Sequence, residues 1–297
     1  MNPARTLRDN DFERDGYHFH VNTRYVYVPI GRATMTAGLR FDANLKWLFT
    51  ELPFEQRFDA AAAAGFTGVE YASPYDHDAA RLRRRLDDAG LKQVLINTPM
   101  GLPGSPTRQG LACIPTAVTE FREGVRRGLA YAVELSADLL HVVGGLVPDG
   151  VRRDRAFAQY VLNIAWAAEQ SSDSGVRIVL EAQNKRDAPA FILESQAQAA
   201  SVIDAVGGDS VGLLMDFYHA QIDEGDLIGT FHANRARILH LQIADPPGRH
   251  EPGTGEIGWR AVLEAVQQSG YQGWIGCEYS PKTQTVPGLA WMKEFLS

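Results

Sequence analysis

Four oxygen-bearing side chains each stand at the end of a short apolar run. VRIVL leads into Glu181, VGLLM into Asp216, ILHL into Gln242 and WIGC into Glu278. They are 35, 26 and 36 residues apart, each separation close to one strand-plus-helix repeat. If the runs are neighbouring strands of a parallel sheet, three carboxylates and one amide meet at one edge. Carboxylates brought that close raise one another's pKa unless a cation or a shared proton intervenes. An all-oxygen set suits Mg²⁺ or Mn²⁺ better than Zn²⁺, which prefers nitrogen and sulfur. Each residue alone has a plainer explanation. A strand-end acid is often a helix cap or an ion-pair partner, and a single glutamine is more often a hydrogen-bonding core residue. Four in succession at the same relative position favour a metal site.

The loops expected after these strand ends carry further candidates. His219 lies three residues after Asp216, in FYHAQ. Arg249, His250 and Glu256 lie in IADPPGRHEPGTGEIGW after Gln242, and Asn184, Lys185 and Arg186 follow Glu181. Cations here suit a substrate carboxylate, which arginine grips with two parallel hydrogen bonds. His219, Arg249, His250 and Lys185 are the expected substrate contacts. Solvated loop charge is the plainer account of Lys185 and Arg186, and a satisfied core histidine that of His219. His141, inside LLHVVGG, fits interior packing or a substrate contact equally well. The glycines of GTGE lack the Lys-Ser/Thr ending of a phosphate loop.

Eight apolar runs form the frame that must position these groups: 39–44, 68–72, 92–98, 138–144, 176–181, 211–216, 238–243 and 274–279. Amphipathic helical stretches separate them, several ending in a glycine such as Gly65, Gly90, Gly207 or Gly270, which suits a left-handed cap. Apolar strands alternating with helices predict a parallel sheet covered by helices. Eight strands, and no glycine-rich turn after the first, predict a single α/β domain, a (β/α)₈ TIM barrel over 38–297. Residues 1–37 mix charge and aromatics without periodicity. They are expected to be an N-terminal extension outside the catalytic core, or to precede a natural start at Met35.

The chain has 297 residues, 45% of them hydrophobic, enough for one large core. A net charge of −7 argues against broad contact with nucleic-acid phosphates. Two cysteines give no disulfide framework, and no signal sequence or bilayer-spanning run is visible. A cytoplasmic protein is expected, with no membrane or nucleic-acid partner, and free to form a homo-oligomer.

RFDANLKWLFTELPFEQRF, AAAAGFTGVEY, PYDHDAARL, MDFYHAQIDEGDLI and above all QIADPPGRHEPGTGEIGW resemble the hydroxypyruvate isomerase family, within the xylose-isomerase-like barrels. The resemblance runs from about Leu39 to the C-terminus. It implies a divalent metal held by Glu181, Asp216, Gln242 and Glu278, with Glu181 and Glu278 exchanging the proton. EAQN stands where the family reads close to EPIN, Lys185 where it has proline, and HVVGG where it has something nearer HVMAG. These positions border the mouth and bear on which substrate fits.

The expected reaction is isomerisation of a small hydroxy-oxo acid, hydroxypyruvate to tartronate semialdehyde first, through an enediolate. A four-carbon 2-oxo-tetronate isomerase is the near alternative. A ketose 3-epimerase would be expected to carry histidine at the third metal position, where this chain has Gln242. A barrel endonuclease needs several metal-binding histidines and a basic groove. A sugar-acid binding protein without turnover is the alternative from a different class, and the intact pair Glu181 and Glu278 speaks against it.

Overall fold

A computed structural model describes residues 38–101 and 104–294; the expectations for 1–37 lie outside the described residues. The eight predicted strands are present as β1 (Arg40–Asn44), β2 (Gly68–Tyr71), β3 (Lys92–Asn97), β4 (Leu139–His141), β5 (Arg177–Glu181), β6 (Val211–Asp216), β7 (Ile238–Ile243) and β8 (Trp274–Cys277). They close in sequence order into one barrel, every pair parallel, with β8 returning to β1. Helices α1 (Arg57–Ala63), α2 (Ala79–Ala89), α3 (Val118–Glu134), α4 (Arg153–Ser171) and α5 (Gln196–Val206) follow successive strands. They continue as α6 (Phe217–Asp223), α7 (Leu227–Asn234) and α8 (Trp259–Gln268).

Local signals set the helix ends. Asp78 begins α2 by accepting from the Arg81 amide at 2.8 Å, and Gly90 ends it at φ 67°. Ser195 caps α5 through the Gln198 amide. Leu82 and Leu86 turn inward from the polar α2 and are fully buried.

Two departures from the sequence reading affect the mouth. The fourth strand was expected to reach residue 144 and stops at His141, because Gly144 leaves the barrel ladder to bridge Gly110. The segment FYHAQ, expected as loop, is the helix α6.

Side chains alternate inward and outward along each strand. The inward residues nearest the C-terminal strand ends form the mouth and those one inward position earlier lie beneath it; strand tilt offsets neighbours, so Asn44 pairs with Glu70 and Gln242 with Gly276 across the two. The mouth layer contains Asn44, Asn97, His141, Glu181, Asp216, Gln242 and Glu278. The layer beneath is divided. Toward β3–β6 it is apolar, with Leu95, Leu139, Val179 and Leu214 packed together. Toward β7, β8, β1 and β2 it holds Asp42, Glu70 and His240, all fully buried, and Gly276. Among the described residues no helix is long and apolar enough to cross a membrane.

Candidate active site

Glu181, Asp216, Gln242 and Glu278 meet at the C-terminal mouth of the barrel. All but Asp216 line a cavity of about 230 Å³, with Asn44, Lys46, Trp47, Asn97, Arg108, His141, Gln183, His219 and Arg249. Asp216 lies at its edge, fully buried, and touches the cavity residues His219 and Arg249. Its two oxygens do different work. Oδ1 caps α6 by accepting from the Tyr218 amide at 2.8 Å. Oδ2 lies 3.2 Å from Arg249 Nη2 and 3.6 Å from His219 Nε2. The capping role and the site role are thus held together, and the first turn of α6 is what delivers His219.

His219 is buried and neutral; burial, then the charge of Arg249, holds its pKa well below the usual range. Its Nδ1 accepts from the Asn184 backbone amide at 3.2 Å and faces Asn184 Nδ2 at 2.7 Å. With Nδ1 accepting, the proton of the neutral ring falls on Nε2, which lies 3.6 Å from Asp216 Oδ2, 3.7 Å from Glu181 Oε1 and 3.4 Å from Arg249 Nη1. His141 approaches Glu181 Oε2 at 3.7 Å from the other side, and burial pushes its pKa down to about 4. Gln183 Nε2 donates to the same Glu181 oxygen at 2.7 Å.

Arg249 is the one cation in direct contact with these acids among the described residues. Its Nη2 bonds both Glu278 Oε2 and Asp216 Oδ2. The guanidinium stacks between Trp47 and Tyr218, 4.8 and 4.7 Å from the ring centres. The long connection after β7 aims it there. Asp245 gathers that loop by accepting from the amides of Gly253, Gly255 and Ile257. Arg249 sits at its tip with φ 53°, and its carbonyl accepts from the Ser280 amide at 2.8 Å. This explains the unusual composition of DPPGRHEPGTGE: an Asp whose carboxylate needs three converging amides, and a Gly255 with no room for a Cβ against the Pro246 carbonyl.

The electrostatics leave a gap that a cation fits. Burial, then the charges of Glu278 and Asp216, raises the Glu181 pKa well above the carboxylate range. Burial pushes Asp216 up to about 7 despite Arg249. Burial works against the Arg249 charge, but Glu278, Asp216 and Glu181 outweigh it and raise its pKa. Three carboxylates against one guanidinium carry two uncompensated negative charges when ionised. Ligand atoms of Glu181, Asp216 and His219 lie within 4.8 Å of one another. His219 Nε2 carries the ring proton, so the donors open to a cation are the carboxylates, joined by the amide of Gln242, an oxygen set that suits a hard divalent ion.

Two expected substrate contacts stand elsewhere. Lys185 is exposed and does not line the cavity, because its backbone amide is tied to Asp223 on α6. His250 does not line it either; its ring faces the Ser280 carbonyl at 2.7 Å, since the turn at Arg249 sends consecutive side chains apart. The residue reading gave no role to Asn44, Lys46, Asn97, Arg108 and Gln183, which do line it. Asn44 and Asn97 end β1 and β3 as Glu181 ends β5, so the same strand-end criterion finds them.

A sequence profile described as "Xylose isomerase-like TIM barrel" matches residues 58–295. The chain is 41% identical over 257 residues to a 2-oxo-tetronate isomerase of Cupriavidus necator, covering 86% of this chain and 98% of that one. It is 40% identical to a hydroxypyruvate isomerase of Escherichia coli over 86% of this chain and 99% of that one. A crystal structure described as an AP endonuclease, family 2, from Brucella melitensis superposes with a TM-score of 0.83 at 37% identity, covering 86% of this chain and 99% of that one. The chain belongs to the xylose isomerase-like TIM barrel family, in its hydroxypyruvate isomerase branch, and is an isomerase.

Proposed function

We propose that the chain isomerises a small hydroxy-oxo acid by moving a proton between adjacent carbons with Glu181 and Glu278, in a site organised by a divalent metal. The observation that carries this reading is the convergence of Glu181, Glu278 and Gln242 on one cavity at the barrel mouth, with Asp216 buried at its edge. Glu181, Asp216, Gln242 and Glu278 would hold Mg²⁺ or Mn²⁺, which when bound supplies a Lewis acid that stabilises negative charge developing on the substrate oxygens.

The chain's own groups supply the rest. One glutamate takes the proton from the hydroxyl-bearing carbon and the other returns one to the neighbouring carbon, while the hydroxyl proton passes to the former carbonyl oxygen, so that carbonyl and hydroxyl exchange places. Their unlike surroundings suit unlike roles: Glu181 is buried beside two neutral histidines, while Glu278 is ion-paired to Arg249. His219 Nε2–H faces the reacting region and can donate to a substrate oxygen. Lys46 and Arg108 line the cavity; Lys46 lies over the Trp47 ring and Arg108 donates to the Ser105 carbonyl at 3.3 Å. They take the substrate carboxylate, while Arg249 orders the acids.

Hydroxypyruvate, giving tartronate semialdehyde, is the first substrate, and four-carbon 2-oxo acids are the second. Both names occur among relatives of nearly equal identity. The endonuclease description of the Brucella structure does not carry over. A net charge of −7 and a cavity of about 230 Å³ with two histidines suit a small acid better than a nucleic-acid backbone. The test is incubation with each acid in the presence of Mg²⁺ or Mn²⁺ and then of EDTA. Product with metal and none with EDTA is expected for one of them; no product from either would reject the substrate class.

The raised Asp216 pKa makes a separate prediction. Between its ordinary value of 3.8 and its folded value of about 7, the metal-free folded protein holds a proton there that the unfolded chain has lost. Metal-free stability therefore falls as pH rises through that window. A cation that competes with the proton relieves this. Mg²⁺ or Mn²⁺ should raise Tm more at pH 8 than at pH 5, as thermal unfolding will show; equal shifts would contradict the assignment.

A further inference from the structure

We infer that Glu70 is a positioning residue, which fixes the amide of Gln242 so that its oxygen, not its nitrogen, faces the cavity. The inference rests on the reading of Gln242 as a metal ligand. Glu70 projects into the barrel from β2, fully buried in the layer beneath the mouth. Its Oε1 accepts from Gln242 Nε2 at 2.8 Å and from Asn44 Nδ2 at 2.9 Å. Its Oε2 meets His240 Nε2 at 2.7 Å.

An ionised carboxylate accepts and never donates. Gln242 must therefore turn its NH₂ down to Glu70, which leaves Oε1 for the cavity that Gln242 lines. A hard cation takes that oxygen and would be repelled by the nitrogen's hydrogens. The same carboxylate orients Asn44, whose Nδ2 also reaches Glu278 Oε1 at 3.4 Å and whose Oδ1 caps the Lys46 amide at 3.1 Å. Glu70 thus bears on two of the four proposed ligands, Gln242 directly and Glu278 through Asn44.

The fold makes room for this. Glu70 must cross from β2 past β1 and β8 to reach residues of β7. Gly276 stands in its way as the β8 partner of both Asp42 and Gln242. A Cβ on Gly276 would lie 2.5 Å from Glu70 Oε1, too close for a carbon and an oxygen of a carboxylate that three hydrogen-bond partners hold in place. The absence of a side chain at Gly276 is what admits the carboxylate.

The experiment is Mn²⁺ binding, followed by the loss of the free-ion EPR signal, in the wild type, in Glu70→Gln and in the exchange variant Glu70→Gln/Gln242→Glu. Glutamine at position 70 can bond Gln242 with either end, so the Gln242 amide is no longer fixed. Outer-shell partners of this kind typically contribute about 10- to 100-fold in metal affinity, and a weakening of that size is expected for Glu70→Gln. The exchange variant reverses donor and acceptor across one hydrogen bond. It presents an oxygen to the cavity whichever way position 242 turns, and should recover most of the affinity. A folded Glu70→Gln that binds Mn²⁺ as the wild type does would overturn the inference. So would weakening that the exchange does not repair, which is what loss of packing alone predicts. If Glu70→Gln does not fold, the exchange variant decides: near-native affinity supports the role and lost affinity rejects it. A wild type that binds no Mn²⁺ would remove the metal reading itself, and this inference with it.

Discussion

Glu181→Gln and Glu278→Gln should each lose turnover by about 10³-fold or more, within the range that a general acid or base contributes. Glutamine keeps the shape and an oxygen toward a metal, but can neither take nor give the proton. The two changes separate on stability. The Glu181 pKa is raised chiefly by burial, so above the ordinary carboxylate range its charge weighs against the folded, metal-free protein. A neutral glutamine removes that burden, so Glu181→Gln should unfold no earlier than the wild type in EDTA near pH 8, and later if anything. Glu278 is ion-paired to Arg249; Glu278→Gln leaves that cation with less compensation and should unfold earlier. Rates measured by product formation, beside thermal unfolding in EDTA, give both readouts. Near-native turnover in either variant would withdraw that glutamate's role.

Arg249→Ala should lower kcat/KM by roughly 10²-fold, the scale of losing one preorganised charge-stabilising donor, with a strong rise in KM. Its guanidinium bonds Asp216 and Glu278 together and fills the space between Trp47 and Tyr218. Truncation leaves two acids facing each other without their cation. Removing one partner of a buried ion pair costs about 3 kcal/mol, and Arg249, with a side chain only 15% exposed, belongs in that class. The loss should appear in EDTA and shrink with saturating Mg²⁺ or Mn²⁺, which supplies charge to the same acids. Lysine should rescue poorly, since an ammonium has no planar face to stack between the two rings. Steady-state kinetics with unchanged KM and kcat would remove Arg249 from the site.

The barrel and its four strand-end ligand candidates were legible because each rests on a local pattern: an apolar run, a helix of helical period, and one polar residue where the run stops. Residues placed by loop shape were not. Lys185 and His250 both follow strand ends, four residues after Glu181 and eight after Gln242, yet only His219, three residues after Asp216, rides on a regular turn, α6, whose direction Asp216 sets. The direction of Arg249 comes from backbone amides gathered by Asp245, and no periodicity reports that. Lys46 and Arg108 belong to loops after β1 and β3 that carry no chemical motif. Glu70 was hidden for another reason. It sits inside GVEY as an ordinary alternation of polar and apolar residues, and closing the barrel is what turns that polar face into the interior. Its partner signal, Gly276 two residues before Glu278, gains meaning only once β8 is paired with β1 and β7.

Transfer of a proton by two glutamates in a metal-organised cavity leaves an isotopic mark on the product. NMR of the wild-type protein with hydroxypyruvate in D₂O, with Mg²⁺ or Mn²⁺ and then with EDTA, tests it most directly. Tartronate semialdehyde is expected with solvent deuterium on the carbon that receives the proton, formed with metal and not with EDTA. Conversion that proceeds equally in EDTA, or product free of solvent deuterium at every stage of the reaction, would contradict it.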